Sequence, residues 1–188
     1  MTGALKPESV STKQERIAKL ARDNPGMAFT SLNHYVDYEW VEYAYRCTRK
    51  DGAKGVDGQS GQDYAENLRQ NLLQLIDRLK SGSYRATPVR RHYIPKSDGG
   101  QRGLGIPSFV DKVAQRAVLM LLEPIYEQDF ADGSYGFRPG RSAHQALQAV
   151  RRALADKGRC WVLEVDIRKY FASIPHAKVG TRNPAAAA

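Results

Sequence analysis

The stretch VLEVDIRKYFASIPH (162–176) places one aspartate, Asp166, at the end of an apolar run and follows it with two aromatics, Tyr170 and Phe171. A carboxylate so placed suits a Mg²⁺ ion, with backbone groups near Lys169 and Tyr170 close to phosphates and the Phe171 ring beneath an incoming sugar. Nucleotidyl transfer by Mg²⁺ uses two ions about 3.5–4 Å apart, bridged by carboxylates, one activating the attacking hydroxyl and the other the leaving phosphate. One carboxylate cannot hold that pair, and Asp166 is the last acidic residue of the chain. The local pattern leaves a second reading open, in which Asp166 caps a helical turn beginning at Ile167.

Five cations, Arg85, Arg90, Arg91, Lys96 and Arg102, surround the single acid Asp98 in the segment leading into and through PVRRHYIPKSDGGQRGLGIP (88–107). The Ser-Asp-Gly-Gly step predicts a β-hairpin, because a tight turn needs the positive φ that glycine adopts freely. Arg90 and Lys96 differ by an even number, so they share a face, and Arg102 on the return strand can lie opposite them. Three converging cations suit a triphosphate, with lysine as a point charge and arginine as a fork. The same charges also describe an edge hairpin kept soluble by lysine and arginine. Arg138 and Arg141 flank a Pro-Gly turn just before a predicted helix, where a phosphate contact or a solvated turn both fit. His34, His92, His144 and His176 show no paired metal-ligand spacing.

The elements that must position these residues are mostly helical. Thr12 and Glu15 form a capping box that predicts a short helix ending before Asn24-Pro25-Gly26. Val36, Trp40, Ala44 and Cys47 predict a core-facing aromatic helix over 33–50. KDGAKGVDGQS (50–60) is a glycine-rich loop without the G-K-[ST] ending of a phosphate cradle. Tyr64, Leu68, Leu72, Leu75 and Leu79 predict one long helix that stops at Gly82. Ser108 and Asp111 open a helix predicted to end at Pro124, and Ser142 with Gln145 cap another. CWVLEVD (160–166) reads as a buried strand.

The chain has 188 residues, 29 Lys+Arg and 20 Asp+Glu, for a formal charge of +9. That balance favours a polyanionic partner such as nucleic acid. Two distant cysteines, Cys47 and Cys160, form no metal pair or disulfide framework and are expected to be reduced thiols. No apolar run is long enough for a signal peptide or a membrane span, so a soluble, cytoplasmic protein is expected.

In this order, four segments resemble the reverse transcriptases encoded by bacterial group II introns, which also act as maturases. SLNHYVDYEWVEYAYRCTRKDGAKGVDGQS looks like the family's amino-terminal extension, and VRRHYIPKSDGGQRGLGIPSFVDKVAQRAVLMLLEPIYE like its fingers hairpin and following helix. SYGFRPGRSAHQAL and VLEVDIRKYFASIPH look like its next block and its first palm motif. The resemblance implies an α/β (α+β) fold: right-hand polymerase fingers with an incomplete palm, helices plus a basic β-hairpin. Residues 1–28 are then a leader, read as loose, 29–141 the extension and fingers, 142–179 the start of the palm, and 180–188 a tail outside the family pattern.

The resemblance also implies roles. Asp166 matches the first catalytic aspartate, Ile167 the residue whose carbonyl also ligates metal, and Phe171 the aromatic that screens against a ribose 2′-hydroxyl. Arg90, Lys96 and Arg102 match fingers residues that approach the dNTP or template, and Arg138 and Arg141 a template-contacting segment. The implied partners are RNA, primer nucleic acid and dNTP, with a homodimer or a separate C-terminal half as further possibilities. Gly103 stands where the family commonly has proline, and Ala172 where many members have a second aspartate. The family's Tyr-X-Asp-Asp carboxylates and thumb are absent from the 188 residues. The chain is therefore expected to be an RNA-directed DNA polymerase by parentage, but inactive alone. A non-catalytic intron-RNA-binding module and a decayed remnant are the alternatives.

Overall fold

The computed structural model describes residues 6–97, 99–156, 161–167 and 170–174, and divides into two compact units, Met1–Asp129 and Phe130–Ala188. The fold is α+β: helices with a small antiparallel two-stranded sheet. Lys169 and Cys160 lie outside the described residues, as do His176 and the 180–188 tail.

In the first unit, α1 (Glu8–Asp23) begins five residues earlier than the Thr12 capping box predicts. Pro7 stands at the N-cap, where its missing N–H costs no intrahelical bond, and Thr12 Oγ1 instead donates back to Glu8 O at 3.0 Å. Within the 1–28 leader, residues 8–23 are thus helical and packed. Val10 and Ile17, seven residues apart and so on one face, are fully buried, and Lys13 pairs with Asp37.

The core-facing aromatic helix is present as α2 (Tyr38–Cys47), preceded by a 3₁₀ turn over Asn33–Tyr35. The break comes from Asp37, whose side chain caps α2 by accepting from Trp40 N at 3.1 Å. Trp40 is fully buried, and its Nε1 donates to Ala117 O at 3.1 Å. Cys47 is half-buried and forms no disulfide among the described residues.

The single helix predicted to run to Gly82 is two, α3 (Gly61–Glu66) and α4 (Leu68–Lys80). Asn67 leaves helical geometry at φ −120°, ψ 40°, and Asn71 Nδ2 donates to the freed Tyr64 carbonyl at 2.8 Å. Gly82, at φ +69°, is the stop that was expected.

The helix predicted to end at Pro124 does not. As α5 (Phe109–Asp129) it runs through the proline. Proline has no N–H for the carbonyl four residues back, which is Met120 O. Gln14 Nε2 of α1 donates to that carbonyl at 2.9 Å, so the orphan acceptor is satisfied from a neighbouring helix. Around α5 gather Trp40, Val41, Tyr64, Leu72 and Leu75 as the core.

Strands β1 (Arg90–Pro95) and β2 (Gln101–Ile106) form the expected hairpin, in register Arg90↔Ile106 through Pro95↔Gln101. Its turn is closed by Lys96 N donating to Gly100 O at 2.8 Å, with Gly99 at φ +78°.

In the second unit, α6 (Ala143–Asp156) carries the reciprocal cap that Ser142 and Gln145 predict: Ser142 N to Gln145 Oε1 at 2.8 Å and Gln145 N to Ser142 Oγ at 3.3 Å. The buried strand expected over 160–166 is not formed among the described residues. Residues 161–167 have no ladder partner, and Trp161 is 92% exposed. An apolar run becomes a buried strand only when a neighbouring strand takes its N–H and C=O groups and another layer covers its side chains. A short helix, α7 (Tyr170–Ser173), follows.

Candidate nucleic-acid interface

Hairpin register decides where the predicted cations point. Arg102 pairs directly with Ile94, which has the parity of Arg90, so Arg90 and Arg102 stand on one face of the ribbon. Lys96 follows one residue beyond β1, at the turn. All three are exposed, and none pairs with a carboxylate among the described residues. Gly103, the departure from the family pattern, lies opposite Tyr93 on the other face, where an added Cβ would meet the ring at 3.4 Å.

Arg90 is partly committed elsewhere. Its Nε donates to Lys54 O at 2.9 Å, and Lys112 Nζ of α5 donates to the adjacent Ala53 O at 2.6 Å. The 50–60 loop is thus clamped from two sides. Gly55 explains why glycine is needed there: a Cβ would stand 2.5–2.9 Å from the Pro107 and Ser108 backbone. The loop buttresses the foot of the hairpin against the start of α5.

A carboxylate that the sequence marked only as a helix cap anchors the same foot. Asp111 is 3% exposed. It accepts from Ser108 Oγ at 2.6 Å, Thr87 Oγ1 at 2.5 Å, Thr87 N at 3.2 Å and the Tyr84 hydroxyl. Burial pushes its pKa up, but the bonds from Ser108, Thr87 and Tyr84 outweigh burial and hold it below the usual aspartate value. Burial, and then the bond to this carboxylate, raise the Tyr84 phenol well above its ordinary value. The chain entering β1 is therefore tied to α5 through one buried charge. Three hydroxyls within reach in sequence, at Tyr84, Thr87 and Ser108, were the available signal.

In the second unit, Arg138 and Arg141 share a turn closed by Arg141 N to Arg138 O at 3.3 Å, with Gly140 at φ +68°. Arg138 Nη1 donates to Ala131 O at 3.1 Å and Ser134 O at 3.0 Å, and its guanidinium lies 4.9 Å from the Phe130 ring centre. Arg141 lies 5.4 Å from the Tyr135 ring. Arg138 thus shapes its own loop, while Phe137 beside it is fully exposed with φ at 58°, a left-handed conformation that side chains rarely adopt.

Asp166 is exposed and makes no hydrogen bond or ion pair among the described residues, and Ile167 is exposed beside it. The turn that Asp166 would cap runs through residues 168 and 169, which lie outside the described residues, and α7 is described from Tyr170. Phe171 lies in α7 by its backbone, and its side chain is outside the description. Among the described residues no three His, Cys, Asp or Glu side chains come together. A two-ion Mg²⁺ centre needs several convergent oxygens, and among the described residues Asp166 with the Ile167 carbonyl supplies one position of such a set.

Residues 94–181 match the family model for reverse transcriptase (RNA-dependent DNA polymerase). Protein YkfC of Escherichia coli (strain K12) is 41% identical over 174 residues, 89% of this chain and 46% of that protein. Group II intron-encoded protein LtrA of Lactococcus lactis subsp. cremoris is 39% identical over 167 residues, 86% of this chain and 27% of that protein. Nuclear intron maturase 2, mitochondrial, of Arabidopsis thaliana is 46% identical over 59 residues, 31% of this chain and 8% of that protein. The chain spans less than half the length of these curated relatives. From Ile94, near the tip of the hairpin, through the Asp166 motif the chain matches the reverse transcriptase family model, and over most of its length it is similar to a group II intron-encoded protein.

Proposed function

We propose that this chain supplies the fingers and the palm entry of a cytoplasmic RNA-directed DNA polymerase and maturase, binding RNA template and dNTP. The observation that carries the reading is the hairpin. Arg90 and Arg102 share an exposed face with Lys96 at its tip, free of carboxylates among the described residues, and the reverse transcriptase match over 94–181 takes in Lys96 and Arg102. Cations so presented attract phosphates strongly and in a salt-dependent way. Arg138 and Arg141 contact template RNA, and Lys169, Tyr170 and Phe171 contact the incoming nucleotide. Asp166, with the Ile167 carbonyl, is one ligand position of the family's two-Mg²⁺ centre.

Assayed alone, the 188-residue polypeptide binds RNA without extending a primer. That no three carboxylate, histidine or cysteine side chains converge among the described residues favours this binding reading over a self-sufficient polymerase. The test is primer extension on an RNA template with Mg²⁺ and dNTPs, wild type beside Asp166→Asn, together with RNA binding across a salt series. Salt-sensitive RNA binding with no extension by either protein is expected. Extension abolished by the Asn change would show that the missing carboxylates are supplied.

A further inference from the structure

A second set of cations lies in the first unit, away from the hairpin. Arg49, Lys112 and Arg116 line an open cleft of about 410 Å³ between the turn after α2 and the solvent side of α5, with Thr48 and Gln115 beside them. Lys112 and Arg116 are four residues apart, so they share one helix face about 6 Å apart along its axis. Each cation keeps donor capacity. Lys112 gives one of its three ammonium hydrogens to Ala53 O. Arg49 uses Nε and Nη2 on Asp51, at 2.6 and 3.0 Å, which leaves Nη1. Arg116 is exposed and has no hydrogen-bond or ion-pair partner among the described residues.

Among the described residues Asp51 is the one carboxylate bonded to this set, so three positive charges there face one negative. Gly52 lines the cleft without a side chain, and a Cβ there would stand 3.8 Å from Lys112 Nζ. A phosphate oxygen can therefore approach Lys112 and Arg116 together. A small free anion is usually enclosed by convergent backbone N–H groups. Here Lys112 and Arg116 run in a row along α5 and Arg49 lines the same open cleft from the turn after α2, which suits a strand passing over the surface.

We propose that this cleft seats a phosphodiester of the RNA strand bound by the fingers, as a contact point separate from the hairpin. The proposal rests on the RNA-binding reading above. It makes Arg116 a fork on the backbone phosphate, Lys112 a point charge beside it, and Gly52 the position whose lack of a side chain admits the strand.

The test is fluorescence-anisotropy titration of the full chain with a single-stranded RNA oligonucleotide over a salt series. Arg116→Gln, Gly52→Leu and the hairpin variant Arg102→Gln are compared with wild type. Arg116→Gln is expected to weaken binding about 3- to 10-fold and to lower the salt slope by about 0.7, the value of one single-strand phosphate contact. Gly52→Leu should weaken binding with no charge removed. Wild-type affinity and slope in both cleft variants, with Arg102→Gln weakened, would overturn the cleft and leave the RNA-binding reading standing. Displacement of RNA by inorganic phosphate beyond the effect of chloride at equal ionic strength would assign the cleft to a free anion and overturn it too. No RNA binding by wild type would overturn both readings together.

Discussion

Asp111 shows how one residue can carry more structural weight than its local pattern suggests. Its depressed pKa means that its contribution to stability is complete above the ordinary aspartate value of 3.8 and is lost as pH falls through the folded value. Tyr84 works in the opposite sense. Its raised pKa makes its contribution complete below the ordinary 10.0 and lost as pH rises through the folded value. Between those limits the pair holds the hairpin foot at constant strength. Asp111→Asn keeps the size but replaces an acceptor of several bonds with an amide that must donate. It is expected to cost about 1–3 kcal/mol at neutral pH in urea unfolding, and to flatten the loss of stability below pH 4. Parallel acid limbs in wild type and variant would show that this carboxylate does not set the acid response.

At the scale of elements, the hairpin is the least self-supporting part of the first unit. Two strands with every side chain exposed except the half-buried Ile106 hold together only marginally. Its shape therefore depends on the turn and on the ties at its foot, Arg90 to Lys54 O and Thr87 to Asp111. Gly99 sits at φ +78°, where an added Cβ meets nothing within 4 Å, so Gly99→Ala tests backbone conformation alone. About 1–2 kcal/mol of hairpin stability should be lost. Hydrogen exchange should then speed up across 90–106 while α5 amides keep their protection. Unchanged exchange in the hairpin would mean that the foot, and not the turn, maintains it.

At the scale of the whole molecule, the two units place the two tryptophans in opposite settings. Trp40 is fully buried with its indole N–H bonded to Ala117 O, whereas Trp161 is 92% exposed within the apolar run 161–167. Trp161→Phe is therefore expected to leave a blue-shifted emission that resists acrylamide, and Trp40→Phe a red-shifted emission that acrylamide quenches freely. A shielded Trp161 would show that the apolar run is covered in solution, by self-association if quenching returns on dilution.

The sequence alone determined the elements whose signals are local. Apolar spacing marks the α2 and α4 cores, the Ser142–Gln145 pair caps α6, and Gly82 and Gly99 supply left-handed turns. Parity along one strand relates Arg90 to Lys96, whereas only the register, Ile94↔Arg102, sets Arg102 on the face of Arg90. Only tertiary structure decided the rest, because the deciding partners lie far along the chain. Gln14 lets α5 pass Pro124 by serving a carboxyl-side carbonyl 106 residues away. Burial of Val10 and Ile17 turns the leader into part of the core, and Asp111 becomes a buried anchor only when Tyr84 and Thr87 fold onto it. Residues 161–167 carry a strand's composition without a strand's bonds, since a strand exists only beside another.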